Sequence, residues 1–276
     1  MDRDRLTITL RTDLLKRLDG VIDGVKIRNR SHAIEFLLSE SLTPKVTQAV
    51  ILAGGQGVKL RPLTYEVPKT LIPVGGKAVI EYAIIQLREA GVRDIILAIG
   101  HLGDKIKETF GNGRALGVSI AYSVETQPLG SAGALRNAGA LLQDKPFLVL
   151  NGDILTKINL SEIIAFHQED KYVATIALST EPDTKGYGVA SLRGERIVSF
   201  LKQDRKQTTQ LVNAGIYVMN PSVFDYIPAK GKAALEDVFV QLAKEGKLAG
   251  FPFDGQWFEV STPENYERAI KYWKEN

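Results

Sequence analysis

Apolar positions in the first forty-odd residues of this chain recur first at every second position and then at helical spacing. Residues Arg5–Leu10, RLTITL, alternate: Leu6, Ile8 and Leu10 share one face, Arg5, Thr7 and Thr9 the other. That alternation predicts a strand. Leu14, Leu15, Leu18 and Ile22 then recur at helical spacing, which predicts a helix capped by Thr12 and ended by Gly24. Ala33, Ile34, Leu37, Leu38 and Leu42 mark a second helix, with Asn29 or Ser31 as its cap. A strand and two helices in about forty residues cannot close a core alone. A lone strand with one apolar face also needs a partner.

After Pro44, short apolar runs alternate with helical patterns. Val50–Leu52, Ile95–Ile99, Val118–Tyr122 and Phe147–Leu150 read as strands. Helices are expected between them, near Val79–Ala90, Lys105–Phe110 and Ala132–Leu142. This order predicts an α/β fold with a doubly wound, mostly parallel sheet. Ligands of such sheets bind beyond the carboxyl ends of the strands. The later half is richer in strand: Val173–Ser179, Tyr187–Leu192, Ile197–Leu201 and Ile216–Met219, with a hairpin turn at Arg193–Arg196. Thr262-Pro263-Glu264 reads as a helix start. The expected organisation is a small module over 1–43, a linker at 44–48 and a main domain over 49–276.

Composition narrows the function classes. The 276 residues are 44% apolar and 24% charged, ordinary for a globular protein of one large and one small domain. A net charge of +3 is too small to demand a nucleic-acid or membrane partner. The absence of cysteine excludes a disulfide framework, a cysteine zinc site and a thiol nucleophile. No apolar leader follows the opening MDRDR, and no apolar run approaches the ~18 residues of a membrane span; cytoplasmic residence is the expectation. The three histidines, His32, His101 and His167, are scattered and read as surface or capping residues.

The candidate chemistry lies in Ala49–Val74, AVILAGGQGVKLRPLTYEVPKTLIPV. An apolar strand runs into Gly54, Gly55 and Gly57, which allow positive φ and bare backbone amides that can face anionic oxygens. Lys59, Arg61 and Lys69 add positive charge. The loop is neither a GxxxxGK[ST] nor a GxGxxG motif.

LAGGQGVKLRPLT followed by VPKTLIPVGGKAVI resembles the signature of the sugar-1-phosphate nucleotidyltransferases, LAGGxGTRLxPLT…PKPLxPVxGKPxI. Further matches fall in the family's order: GVSIAYSVETQPLGSAGAL, FLVLNGDIL, VNAGIYVM and WFEVSTPENYERA. The resemblance implies a Rossmann-like nucleotidyltransferase fold and an enzyme that joins an NTP to a sugar 1-phosphate and releases pyrophosphate. It implies that Leu52, Gly54, Gly55 and Gly57 contact the nucleotide, and that Lys59 and Lys69 hold phosphates near the reacting centre. Asp153 and Glu259 would ligate Mg²⁺, to which hard oxygen ligands are suited. Glu125, Gly130 and Ser131 would line the base and sugar pocket, with Asn213, Gly215 and Lys202 on the sugar side. The attacking phosphate is already anionic, so positioning and positive charge suffice and no general base is needed.

Three departures from the family pattern fall at charge-handling positions. Val58-Lys59 stands for threonine-arginine and loses the guanidinium fork. Glu259 and Ser261 stand for aspartate and glycine. SFLKQ, with Lys202 and Gln203, stands for F-x-E-K and lacks the sugar-binding acid. These departures keep open an alternative: a weak or inactive domain that senses a nucleotide sugar. The segment ETQPLGSAGAL looks closest to guanylyl- and uridylyl-transferring relatives, so GTP or UTP is favoured, with a mild preference for GTP and mannose 1-phosphate.

The first 43 residues resemble the ribbon-helix-helix family of DNA-binding proteins. That resemblance implies a homodimer whose paired strands present Arg5, Thr7 and Thr9 to base edges. This segment holds eight Lys/Arg and seven Asp/Glu, a net of +1, so a module that only dimerises the enzyme remains equally open. With DNA binding, the sensing alternative becomes a ligand-controlled regulator.

Overall fold

The structure, a computed structural model, describes residues 7–42, 46–167, 171–181, 186–201 and 210–274. The chain divides into two compact units, Met1–Pro44 and Lys45–Asn276.

The N-terminal unit holds α1 (Thr12–Asp19) and α2 (Arg30–Leu42). Arg11 rather than Thr12 occupies the N-cap of α1, and the helix ends at Gly20, ahead of the expected Gly24. The chain turns early because Asp23 Oδ1 accepts the amides of Val25, Lys26 and Ile27, each at 2.8 Å. Such a three-amide carboxylate turn competes with further helix. Asn29 caps α2 by accepting the His32 amide at 2.9 Å, and Arg30 forks onto Asp19 at 2.7 and 2.8 Å. Leu18, Ile27 and Ala33 form the small core. Arg5 and Leu6 of the expected strand lie outside the described residues, as do residues 44 and 45 of the expected linker. Thr7–Leu10 form no strand, and Ile8, Thr9 and Leu10 are exposed.

The larger unit is built on strands β1 (Gln48–Ala53), β2 (Pro73–Val74), β3 (Lys77–Ala78), β4 (Asp94–Ile99), β5 (Ser119–Val124), β6 (Phe147–Asn151) and β7 (Ile154–Thr156). It continues with β8 (Ala174–Glu181), β9 (Val189–Arg193), β10 (Arg196–Leu201), β11 (Gln210–Met219), β12 (Leu248–Pro252) and β13 (Trp257–Glu259). Its helices are α3 (Val79–Glu89), α4 (Gly103–Phe110), α5 (Gly130–Ala138), α6 (Leu160–Phe166), α7 (Leu235–Lys244) and α8 (Pro263–Tyr272).

Nine strands form one sheet in the order β5-β4-β1-β6-β11-β8-β12-β10-β9. The first four are parallel, as helical crossovers between them require. From β11 onward the expectation of a mostly parallel sheet fails. Strand β11 runs antiparallel to both β6 and β8, and β10 runs antiparallel to β9 and β12. The β9–β10 link at Arg193–Arg196 is a hairpin, which joins only antiparallel neighbours.

Both faces of the sheet are covered. Along β1, Ala49, Ile51 and Ala53 point into a core shared with Ile80, Ile84 and Leu87 of α3. Val50 points to the other face, with Leu135 of α5 and Val238, Phe239 and Leu242 of α7. Each fully buried Val, Leu, Ile or Phe among them contributes about 2 kcal/mol. A third cluster, including Leu60, Ile72, Val79, Leu155, Val260 and Ala269, ties the segment after β1 to β7, β13 and α8. That cluster brings Lys69, Asp153 and Glu259 to the carboxyl ends of β1 and β6.

Candidate functional site

Strand β1 ends at Ala53, and the glycine loop leaves the sheet there. Of its three glycines only Gly57 has positive φ, at 60°. The expectation fails for Gly54, which is needed for space instead. A Cβ there would lie 2.4 Å from Glu125 Oε1. Glu125 follows β5 with its amide donating to Ile99 O at 2.8 Å. Its Oε2 accepts the Leu129 amide at 2.8 Å. Burial raises its pKa, and that amide offsets part of the rise.

Leu129 leads into α5 through Gly130, whose φ is +73° and whose missing Cβ leaves room for Ala233 O. Ala132 and Gly133 amides donate to that same oxygen, and Ser131 Oγ accepts the Leu235 amide at 2.8 Å. Arg136 holds the carbonyls of Pro228 and Gly231. The loop before α7 is thereby bound to the start of α5, and it carries Lys232 to the same cavity.

That cavity measures about 380 Å³ and contains Leu52, Gly54, Gly55, Lys69, Glu125, Gly130, Ser131, Asp153 and Glu259 in its lining. These residues were all expected at the site. Thr70, Asn151 and Lys232 also line it, and sequence reading missed them. The signal for Thr70 was present, since the quoted signature has proline after its lysine. A second cavity of about 380 Å³ is lined by Gly57, Lys59, Tyr187, Ser261 and Asn265, among others. Lys69 and Glu259 belong to the walls of both.

Asn213 and Gly215 line neither cavity. The Asn213 side chain donates to Tyr217 Oη at 3.0 Å and accepts the Gly215 amide at 3.0 Å. Lys202 lies outside the described residues. Arg61 stacks over the Tyr65 ring at 4.8 Å. Of the histidines, His167 caps α6 and is buried, with ring nitrogens 2.8 Å from Thr175 Oγ1 and 3.1 Å from Asn220 Oδ1.

At the junction of the cavities, Lys69 Nζ contacts Asp153 Oδ2. Burial works to lower the Lys69 pKa, but the charge and hydrogen bond of Asp153 and the charge of Glu259 outweigh it and hold the ammonium above its usual range. Strand pairing sets Glu259 opposite Ile154, and the Val260 amide donates to Asp153 O at 2.8 Å. Trp257 Nε1 donates to Ala214 O at 2.9 Å and anchors β13 to β11. Burial and the Asp153 charge push the Glu259 carboxyl up to about 7, against Lys69, Ser261 and Lys59. Two carboxylates and a lysine thus converge where a polyanion and a cation can meet. Among the described residues no group of three or more His, Cys, Asp or Glu is placed to hold a metal.

The profile of the nucleotidyl transferase family matches residues 48–276. The chain belongs to that family. Over 224 residues this chain is 36% identical to a mannose-1-phosphate guanyltransferase of Yarrowia lipolytica, covering 79% of this chain and 62% of that protein. It is 33% identical over 225 residues to a mannose-1-phosphate guanylyltransferase of Mycobacterium tuberculosis, covering 80% and 62%. The chain therefore spans about three fifths of the length of these relatives. Among solved structures, it superposes with a TM-score of 0.75 and 27% identity on a Bacillus anthracis protein described as a glucose-1-phosphate thymidylyltransferase, covering 81% of this chain and 94% of the other. HddC from Yersinia pseudotuberculosis, complexed with GMP-PN, shares the fold at a TM-score of 0.70 and 24% identity, with 83% and 100% covered. Among the described residues no helix is long and apolar enough to cross a membrane.

Proposed function

We propose that this chain forms an NDP-sugar and pyrophosphate from an NTP and a hexose 1-phosphate, with GTP and mannose 1-phosphate as the preferred pair. The observation that carries this reading is the pair of adjoining cavities with Lys69 and Glu259 in both walls. One cavity is bounded by the glycine loop and the Glu125–Ser131 segment, which suits a nucleotide. The other, with Lys59 and Tyr187, suits phosphoryl groups. A phosphate oxygen of the sugar 1-phosphate attacks the α-phosphorus, and pyrophosphate leaves. Lys69 and Lys59 offset the negative charge of both reactants, which is the main barrier to their approach. The named relatives support the choice of base and sugar.

Asp153 and Glu259 fit a divalent cation, with Mg²⁺ the choice for their hard oxygens. Magnesium commonly takes one or two carboxylates and completes its sphere with phosphates and water, so two protein ligands suffice. The contact of the Lys69 ammonium with Asp153 marks the position as one that attracts a cation. A bound cation would supply charge neutralisation at the phosphates.

A second reading concerns the N-terminal unit. Ile8, Leu10, Leu14, Phe36, Leu37 and Leu38 are all exposed in it, a large apolar load for so small a unit. We assign it to pairing with a second copy of the chain, with DNA contact through Arg5, Thr7 and Thr9 as the regulatory extension.

The test incubates the full chain with Mg²⁺, each NTP and a panel of sugar 1-phosphates, and follows pyrophosphate. Release with GTP and mannose 1-phosphate supports the transferase. No release with any pair, together with nucleotide-sugar-dependent binding to DNA, supports the sensor instead.

A further inference from the structure

The second cavity contains a hydrogen-bond donor that the motifs do not assign. Tyr187 lies in its wall beside Lys59, Lys69 and Glu259. The ring is fixed edge-on against Trp257, with centroids 5.5 Å apart at 66°. Asn265 sits in the first turn of α8, where its amide donates to the Thr262 cap at 3.2 Å. Asn265 Nδ2 then donates to Tyr187 Oη at 3.4 Å.

A phenol has one proton to give and lone pairs to receive. Asn265 uses a lone pair, so the tyrosine proton must point elsewhere. No acceptor for it is present among the described residues. Burial, aided by the charges of Glu259 and Glu181, pushes the phenol up to about 12, so the proton stays in place across the physiological range. The ring lines the cavity that already holds two lysines.

We infer that Tyr187 donates a hydrogen bond to a phosphoryl oxygen in this cavity, and that Asn265 is the positioning residue that turns the phenolic proton toward it. The inference rests on the transferase reading. The ligand is a phosphate monoester or pyrophosphate, which share the anionic oxygen that the donor needs. Asn265 falls at a variable position of W-x-D-x-G-T-P-x-x-Y, so this arrangement is a property of this chain rather than of the signature.

The experiment measures binding of pyrophosphate and of mannose 1-phosphate separately by calorimetry, and steady-state kcat and KM, on the full-length chain. Tyr187→Phe keeps the ring on Trp257 and removes only the hydroxyl; an unchanged melting temperature verifies this. It should weaken one of the two anions about tenfold, as loss of a hydrogen bond to a charged group does, and the affected anion identifies the occupant. Asn265→Asp replaces the amide donor with an acceptor that draws the proton back, and should cost as much as Tyr187→Phe. In the Tyr187→Phe background the same Asp change should cost little more. Equal cost of Asn265→Asp with and without the hydroxyl would mean that it acts through charge alone, and would overturn the positioning role. A Tyr187→Phe enzyme indistinguishable from an active wild type would overturn the inference while leaving the transferase reading intact. A wild type that binds neither anion and no NTP would overturn both.

Discussion

The ammonium of Lys69 rests directly on Oδ2 of Asp153, a residue 84 positions further along the chain. Their side chains are only 20% and 9% exposed. Removing one member of so enclosed a pair leaves a charge without compensation, at a cost of about 3 kcal/mol or more. Removing both costs far less. Asp153→Ala and Lys69→Met should therefore each lower stability markedly, and the double variant should recover much of the loss. Urea unfolding of the four proteins checks this. Additive losses would mean that the two groups are solvated independently. All three variants should lose turnover, since in the proposed reaction both groups would face the reacting phosphates.

Glu259 ties stability to pH. Its folded pKa, about 7, lies above the ordinary glutamate value of 4.5, so the folded protein binds more protons than the unfolded chain between those values. Its contribution is fully present below about pH 4.5, is lost as pH rises toward 7, and is flat above. Glu259→Gln should flatten this stretch of the melting-temperature profile. A divalent cation at Asp153 and Glu259 would offset the same repulsion, so Mg²⁺ should raise the melting temperature more at pH 8 than at pH 5. An equal effect at both pH values would argue against Glu259 as a ligand.

The strands of the parallel half were readable because β1, β4 and β6 are continuous apolar runs, as strands buried on both faces must be. The junction residues Lys69, Asp153 and Glu259 were readable through their motifs. Strand β12 was not, because LAGFP carries a glycine and a proline and shows no alternation. The direction of β11 was equally hidden, since a long connection can return a strand either way. Lys232 escaped because its reach into the cavity depends on tertiary contacts. Arg136 and the Ala233 carbonyl hold its loop against α5, nearly a hundred residues away in sequence. Asn213 sat within a matching segment, yet its side chain is committed to Tyr217 and Gly215.

Lys232 itself yields a prediction. The wall it shares carries Glu125, Asp153 and Glu259, and Lys69 is already engaged by Asp153. Lys232 makes no ion pair among the described residues and is free to meet an anionic ligand. Lys232→Ala should weaken GTP binding about fivefold at low ionic strength, with the difference shrinking in high salt as screening grows. Lys232→Arg should restore most of it. Calorimetry at two salt concentrations reads both. Identical affinities for Ala and wild type at low salt would remove this lysine from the site.

Thr70 is one of two described residues with a buried polar side-chain atom lacking any partner. It lines the cavity proposed to hold the nucleotide, and its Cγ2 would sit 2.9 Å from a Cβ on Gly152. A buried hydroxyl left unsatisfied costs about 1–3 kcal/mol, and such a group at a ligand site is commonly one that a ligand or water completes. Valine keeps the branched shape and deletes the hydroxyl. Thr70→Val should therefore raise the melting temperature of the ligand-free protein by about 2–4 °C, the shift expected for ~1 kcal/mol in a domain of this size. The same change should raise KM for the NTP if the hydroxyl is completed on binding. Differential scanning calorimetry and initial rates separate the two effects. A lower melting temperature would mean that the hydroxyl is already satisfied in the free protein, and an unchanged KM would leave Thr70 as a cost of the fold with no return at the site.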